Sequence, residues 1–366
     1  MNKYYIIPIF VPHKGCPHDC IFCNQKKITG SEKDITSNDV ESIIELHLST
    51  ISNENAYIEV SFFGGSFTGI PIDMQKELLE VAYTYLKKGL IHNIRLSTRP
   101  DYINKDILNH LQNYNVGVIE LGVQSLDEDV LKIAERGHSI EDVYYASKVI
   151  KEYGFTLGLQ MMVGLPGDTL EKDILTAQKI VSLSPDFVRI YPALTIKNTQ
   201  MEHMYFENKY VPLSIEEATN VCKILYMIFR KADIPIIRLG LQTTEQINTG
   251  KDIVAGPFHP AFRELVESSI LNDMISYAIK NYYSDCESLD IYISPRNISK
   301  LYADKKRIFN NNISKDSIKK IKIRQKDIGD DLVLIFDNGT KQRKMSINNY
   351  IKCISERRNY SYFKEI

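Results

Sequence analysis

Strand-length apolar runs alternate with helix-length amphipathic runs from residue 4 to about residue 240. This rhythm constrains the fold more than any other feature of the chain. The expected strands are Tyr4–Val11, Ala56–Phe63, Asn93–Thr98, Val116–Leu121, Thr156–Val163 and Asp186–Tyr191, with Ile234–Leu239 as a candidate seventh. Helical patterns fall between them near 38–51, 72–88, 104–114, 139–153, 168–182 and 214–232. Thr36 followed by Asp39 has the form of a capped helix start. Strands separated by helices of this length read as repeated βαβ units around a parallel sheet. Six or seven such units suggest an α/β fold, a complete or partial (β/α) barrel rather than a short open sheet, with the partial (β/α)6 form the one expected and functional residues where strands end.

The rhythm breaks near 242–262, where a polar stretch is followed by Ala255-Gly-Pro-Phe-His-Pro260. Gly and Pro punctuate such breaks. A helix is expected from about 261 to 280, so that residues 1–282 make the barrel and its trailing helix. Residues 283–366 then read as a small, basic α+β module. It has strand patterns at Asp290–Ile293, Ile318–Ile323 and Leu332–Phe336, and Asp337-Asn-Gly339 marks a hairpin turn.

Three of the six cysteines lie within eight residues, as Cys16-Pro-His-Asp-Cys20-Ile-Phe-Cys23, directly after the first strand. Thiolate sulfur is the soft ligand that iron–sulfur clusters require. Three ligands leave one iron of a [4Fe–4S] cluster open to a substrate or cofactor. Structural zinc is the rival reading, with His13 or His18 completing a site, but no second paired motif occurs downstream. A disulfide framework fits less well, because the chain is long, has few cysteines and opens without a secretory pattern. The same residues also allow a cluster protein that only transfers electrons or holds a metal for structure. Cys222, Cys286 and Cys353 stand alone and read as core or incidental residues.

The other unusual segments also fall at expected strand ends. They are Gly64-Gly-Ser-Phe-Thr68, Ser97-Thr-Arg-Pro100, Gln124-Ser125, Gly164-Leu-Pro-Gly167 and Arg189-Ile-Tyr-Pro192. Singly, each has a plain explanation: a tight turn at Gly64-Gly65, a loop at Gly164–Gly167, structurally paired arginines at Arg99, Arg136 and Arg189. Together they would converge on one mouth beside the cysteines. Tyr191 and Lys197 are candidates for an acid or radical partner, and equally for structural roles.

Read as a series, these residues resemble the radical S-adenosylmethionine superfamily, whose hallmark is Cys-x-x-x-Cys-x-aromatic-Cys. Phe22 supplies the aromatic. The stretches Phe63-Gly-Gly-Ser-Phe-Thr68, Ser97-Thr-Arg-Pro-Asp101, Glu120-Leu-Gly-Val-Gln-Ser125, Glu135-Arg-Gly-His138, Met162-Val-Gly-Leu-Pro-Gly167 and Arg189-Ile-Tyr-Pro192 resemble the radical domain of the Elongator catalytic subunit over roughly residues 4–240. The resemblance implies that Cys16, Cys20 and Cys23 hold a [4Fe–4S] cluster and that S-adenosylmethionine binds beside it. It puts Gly64, Gly65 and Ser66 at the methionine end and Arg136 on its carboxylate. Ser97, Gln124 and Gln160 also fall to the cofactor. Ser66 stands where the wider family often has Glu, and Gln160 where several relatives carry an acid. The implied chemistry is a 5′-deoxyadenosyl radical abstracting hydrogen, with a ferredoxin- or flavodoxin-like reductant and RNA or transfer RNA as the implied substrate.

Too little chain follows the barrel for an acetyltransferase domain, so a radical domain without one is expected. Arg296 to Lys326 holds eleven Lys or Arg against two Asp, with Tyr302 and Phe309 interleaved. That stretch is either a phosphate-binding surface or a solvated face. The chain is 43% apolar and 25% charged with net charge −1, so no global field favours nucleic acid. No apolar run approaches the roughly 20 residues of a membrane span, and a cytoplasmic location is the default.

Overall fold

The computed structural model describes residues 3–11, 20–24, 35–52, 55–241, 252–313, 320–329 and 331–355. A curled parallel sheet begins with β1 (Tyr4–Val11), β2 (Tyr57–Gly64), β3 (Asn93–Thr98), β4 (Val116–Gln124), β5 (Thr156–Val163) and β6 (Phe187–Pro192), each hydrogen-bonded to the next. Short β7 (Thr195–Ile196) leaves the sheet, and β8 (Ile236–Leu239) joins it as a seventh parallel strand beside β6. β1 and β8 are the two edges, so the barrel is partial. The seven-stranded sheet thus includes the candidate seventh strand. β7 pairs instead with β9 (Ile253–Ala255). The polar stretch 242–251 lies outside the described residues.

The helices follow the strands: α1 (Ser37–Thr50), α2 (Ile72–Lys87), α3 (Lys105–Asn113), α4 (Glu128–Ile133), α5 (Ile140–Glu152), α6 (Leu170–Ser182), α7 (Gln200–Phe206) and α8 (Ile215–Lys231). Local chemistry starts them. Thr36 and Asp39 close a capping box on α1, as Ser139 and Asp142 do on α5 and Ser214 and Glu217 on α8. Strand side chains alternate between faces. Ile58, Val60 and Phe62 of β2, Leu157, Leu159 and Met161 of β5, and their equivalents form an apolar layer with the helices. The alternate positions carry Glu59, Arg95, Glu120, Gln160 and Arg189, a polar set that faces the inside of the sheet.

α9 (Phe262–Tyr282) links the barrel to a second sheet of order β11 (Lys320–Gln325), β10 (Ser288–Ile293), β12 (Val333–Asp337), β13 (Gln342–Ser346). β11 runs parallel to β10; the other pairs are antiparallel. The Asp337–Gly339 turn closes the β12–β13 hairpin, with Gly339 N–H donating to the Asp337 carboxylate at 2.8 Å. Short α10 (Ile298–Leu301) and α11 (Arg307–Ile313) precede β11, and α12 (Ile347–Ser355) follows β13. One buried cluster runs without a break from the barrel through Leu265, Ile270 and Met274 of α9 to Ile291, Leu334 and Phe336.

The described residues of the 296–326 stretch do not form one basic surface. Lys300 pairs with Glu267 at 2.9 Å, and Arg307 with Asp304 at 2.5 Å. Tyr302 and Phe309 meet edge to face at 5.0 Å and pack against the core. Among the described residues of the stretch, β11 is where cations alternate along one exposed face.

Candidate active site

The strand ends on one side of the sheet enclose a pocket lined by Cys20, Phe22, Cys23, Gly64, Gly65, Ser66, Ser97, Thr98, Arg99, Gly122, Gln124, Arg136 and Gln160. Of the residues expected to hold the cluster or the cofactor, all except Cys16 line this pocket, whereas Arg189, Tyr191, Lys197 and the Gly164–Gly167 loop do not. Cys16, like His13 and His18, lies outside the described residues.

The cysteine segment is held from both sides. Ile21 N–H donates to Ala134 O at the end of α4, and Met201 N–H of α7 donates to Ile21 O at 2.8 Å. Ile21 is buried in a small cluster with Val130, Ala134, Leu165, Met201 and Tyr210, and Phe22 packs against it. Cys23 N–H donates to Cys20 O at 2.9 Å, so the two sulfurs stand on one tight turn. Neither α4 nor α7 was expected from the sequence.

The segment after β2 turns sharply. Gly64 has φ +106°, a backbone conformation side chains resist, and Gly65 N–H bonds back to Val11 O. Behind it the Thr68 and Thr98 hydroxyls meet at 2.6 Å, and the buried Gln75 amide donates to Thr68 O and Ile70 O. These contacts lock the ends of β2 and β3 together.

Arg136 enters from the turn after α4. Its Nη2 donates to Gly122 O at 2.6 Å, and Nη1 donates toward Cys20 Sγ at 3.5 Å. Its Nε and the Ser97 Oγ are buried without a hydrogen-bond partner among the described residues. The close approach requires Gly122, because a Cβ there would come within 2.7 Å of Arg136 Nη2. Next to Arg136, burial, with Arg136 and then Arg99 adding to it, holds the His138 imidazole well below its usual value, at about 3. Arg99 is fully buried and clamps Asp101 through two bonds of 2.9 Å.

Below the pocket lies a layer of ion pairs that the sequence reading missed. Arg95 bonds Glu59 at 2.8 Å and Glu120 at 2.7 Å; Arg189 bonds Glu120 at 2.9 Å; and Gln160 donates to Glu120 at 3.0 Å. The Tyr4 hydroxyl bonds Glu59. Burial opposes the Arg95 charge, but Glu120 and Glu59 outweigh it and raise its pKa. Arg189 therefore belongs to this floor, with its guanidinium 5.5 Å from the Phe63 ring centroid. The signal was present as charged residues at alternate positions of apolar strands.

The Gly164–Gly167 loop does not line the pocket. Gly164 N–H donates to Asp168, Tyr210 Oη–H donates to Gly164 O at 2.7 Å, and Leu213 packs on it. Burial, then Asp168, pushes the Asp173 carboxyl well above its usual range.

The donor set fits an iron–sulfur cluster with a zwitterionic cofactor. Two thiols, a buried cation with an unused N–H, a buried hydroxyl and a glycine-walled cradle meet in one cleft. Among the described residues, no group of three or more His, Cys, Asp or Glu is placed to hold a metal ion by itself.

Such a cleft, at the strand ends of a partial parallel barrel, defines the class. The Radical SAM superfamily model matches residues 10–179 and the Radical SAM C-terminal domain model residues 185–272, together well over half of the chain. The chain belongs to the radical SAM superfamily and is an enzyme of it.

Among curated relatives it is 27% identical over 266 residues to the tRNA uridine(34) acetyltransferase of Methanocaldococcus infernus, a match covering 62% of this chain and 50% of the relative. It is 26% identical to Elongator complex protein 3 of Saccharomyces cerevisiae, over 50% of this chain and 38% of that one. An uncharacterized protein of Methanocaldococcus jannaschii matches at 28%, over 61% of this chain and 72% of its own length. The chain spans half or less of the length of the first curated relatives it matches. The fold of the archaeal Methanocaldococcus infernus Elp3 with an N-terminal deletion superposes with a TM-score of 0.58 at 23% identity, covering 76% of this chain and 63% of that one.

Proposed function

We propose that this enzyme binds a [4Fe–4S] cluster and S-adenosylmethionine in the strand-end pocket and uses them to modify a nucleoside of transfer RNA. The observation that carries this reading is the Arg136 guanidinium, seated between Cys20 Sγ and Gly122 O in a cleft walled by Gly64–Ser66. When bound, the cluster and cofactor supply a 5′-deoxyadenosyl radical able to take hydrogen from an unactivated carbon.

The chain's own residues position and shield. Cys16, Cys20 and Cys23 would hold three irons. The Arg136 Nε would meet the methionine carboxylate as a charge-assisted donor. The exposed backbone after β2 would meet the amino group, with Ser66 beside it. Ser97, Gln124 and Gln160 would meet the nucleoside, Gln160 being fixed by Glu120. Phe22 and Ile21 keep water from the cysteine turn. The RNA reading is supported by the names of the relatives, and it is confined to the radical step because the matches cover half or less of those proteins. A small iron–sulfur or flavin protein would supply the electron, in the cytoplasm. No helix among the described residues is long and apolar enough to cross a membrane.

The test is anaerobic reconstitution with iron and sulfide, followed by cofactor cleavage with a strong reductant. Brown protein that releases 5′-deoxyadenosine supports the proposal. Protein that takes up zinc, or binds a cluster and never cleaves the cofactor, points to a structural or electron-transfer role and rejects it. Loss of one modified nucleoside from cellular transfer RNA when the protein is absent tests the substrate.

A further inference from the structure

The solvent side of the small sheet carries a charge pattern that the barrel chemistry does not use. β11 is an edge strand. Its Ile321 and Ile323 pack on the core, while Lys320, Lys322 and Arg324 alternate with them and are exposed. Successive members of such a row stand about 6.6 Å apart along the strand. The register continues the face across the sheet: Arg324 lies beside Tyr292, Tyr292 beside Ile335, and Ile335 beside Lys344. The Lys326 ammonium sits 5.7 Å from the Tyr292 ring centroid.

This face carries Lys320, Lys322, Arg324, Lys326 and Lys344 against Asp290 and Asp337. Arg324 takes Asp290 at 2.6 Å, and the Gln342 amide takes Asp337 at 2.9 Å. Both acids are thus engaged within the sheet, and the lysines point outward from a chain whose net charge is only −1. The surplus is local. At the centre of the face lie half-buried Tyr292 and Ile335.

A straight row of cations tracks a linear polyanion, and a flat aromatic beside it accepts a base. The Tyr292 ring is half-buried. We infer that this face binds a single-stranded segment of RNA, with phosphates along Lys320 and Lys322 and a base stacked on Tyr292. The inference rests on RNA being the substrate class and adds where that RNA is gripped, at a distance from the pocket.

The experiment measures binding of a fluorescent single-stranded oligouridylate to the full chain across a salt series, with thermal unfolding as a folding control. The K320Q/K322Q variant should bind about tenfold more weakly at low salt, and its salt slope should fall by about 1.4, two single-strand phosphate contacts. Tyr292→Leu, which keeps the apolar packing, should weaken binding at least fivefold with the slope unchanged, as loss of one stacked base does. Unaltered affinity and slope in K320Q/K322Q overturn the inference. So does a full effect of those lysines with none of Tyr292→Leu, which makes the face a general polyanion surface, or preferential binding to phosphatidylserine vesicles. Cofactor cleavage by the native protein is read separately. Oligonucleotide binding without cleavage rejects the radical proposal and keeps this one; cleavage without binding does the reverse.

Discussion

Arg136 reaches the pocket through a costly turn: Glu135 just before it has φ +50°, a left-handed conformation that is strained for such a residue. The guanidinium then rests on Gly122 O, so the smallest side chain at Gly122 is a test of the site. Gly122→Ala would push a methyl into Arg136 Nη2 and, at 3.1 Å, into Gln124 Nε2. S-adenosylmethionine binding should weaken about tenfold or more, roughly 1.4 kcal/mol, while iron content stays. Equilibrium dialysis of the reconstituted protein checks this, and unchanged affinity would show that Arg136 needs no such seat.

His138 offers a second test at this scale. Its folded pKa of about 3 lies below the unfolded value of 6.5, so the unfolded chain takes up the proton first. Stability is therefore full above about pH 6.5 and falls as pH drops toward 3, by at most ~1.4 kcal/mol per pH unit. Urea denaturation of the metal-free protein between about pH 7 and pH 5 should show this slope, and His138→Gln should flatten it. Of the pocket, the cysteines and the Gly64–Ser66 turn were legible because their residue types are unusual. Gly122 was not: its role depends on a side chain that arrives from fourteen residues downstream.

Between elements, the floor of ion pairs ties β2, β3, β4 and β6 into one charged layer. Glu120 is fully buried and serves both Arg95 and Arg189. Removing it leaves two buried guanidiniums short of a partner, so Glu120→Leu should cost about 3–5 kcal/mol. Glu120→Leu combined with Arg189→Met should recover part of that loss, because the pair is replaced by apolar volume. A double mutant no more stable than Glu120→Leu alone contradicts the layer's coupling. Sequence periodicity gave the elements wherever one face is apolar over a full length, as in β1, β3 and β5. It failed at α4 and α7, whose six and seven residues are too few to display a helical period. It failed also at β13, where only Met345 is buried and the strand exists because a hairpin returns it to β12.

Across the whole molecule, we propose that residues 1–282 and 283–366 are two modules sharing one core. α9 buries residues on nearly all sides, among them Leu265, Leu271, Met274 and Ile279. A helix of that kind cannot be apportioned to one module. The chain should therefore unfold in one cooperative step, with near- and far-ultraviolet circular dichroism coinciding; two separated transitions would mean independent cores. Protein cut after residue 282 should aggregate, since it would bare the α9 surface that packs on α10, α11 and α12.

The floor layer has one more consequence. Glu59, Arg95, Glu120 and Arg189 plug the base of the lumen, so the cysteine turn stands at the head of a blind alley. Nothing that reaches that turn can pass on through the base, so traffic to and from it is confined to the side of the sheet where the strands end.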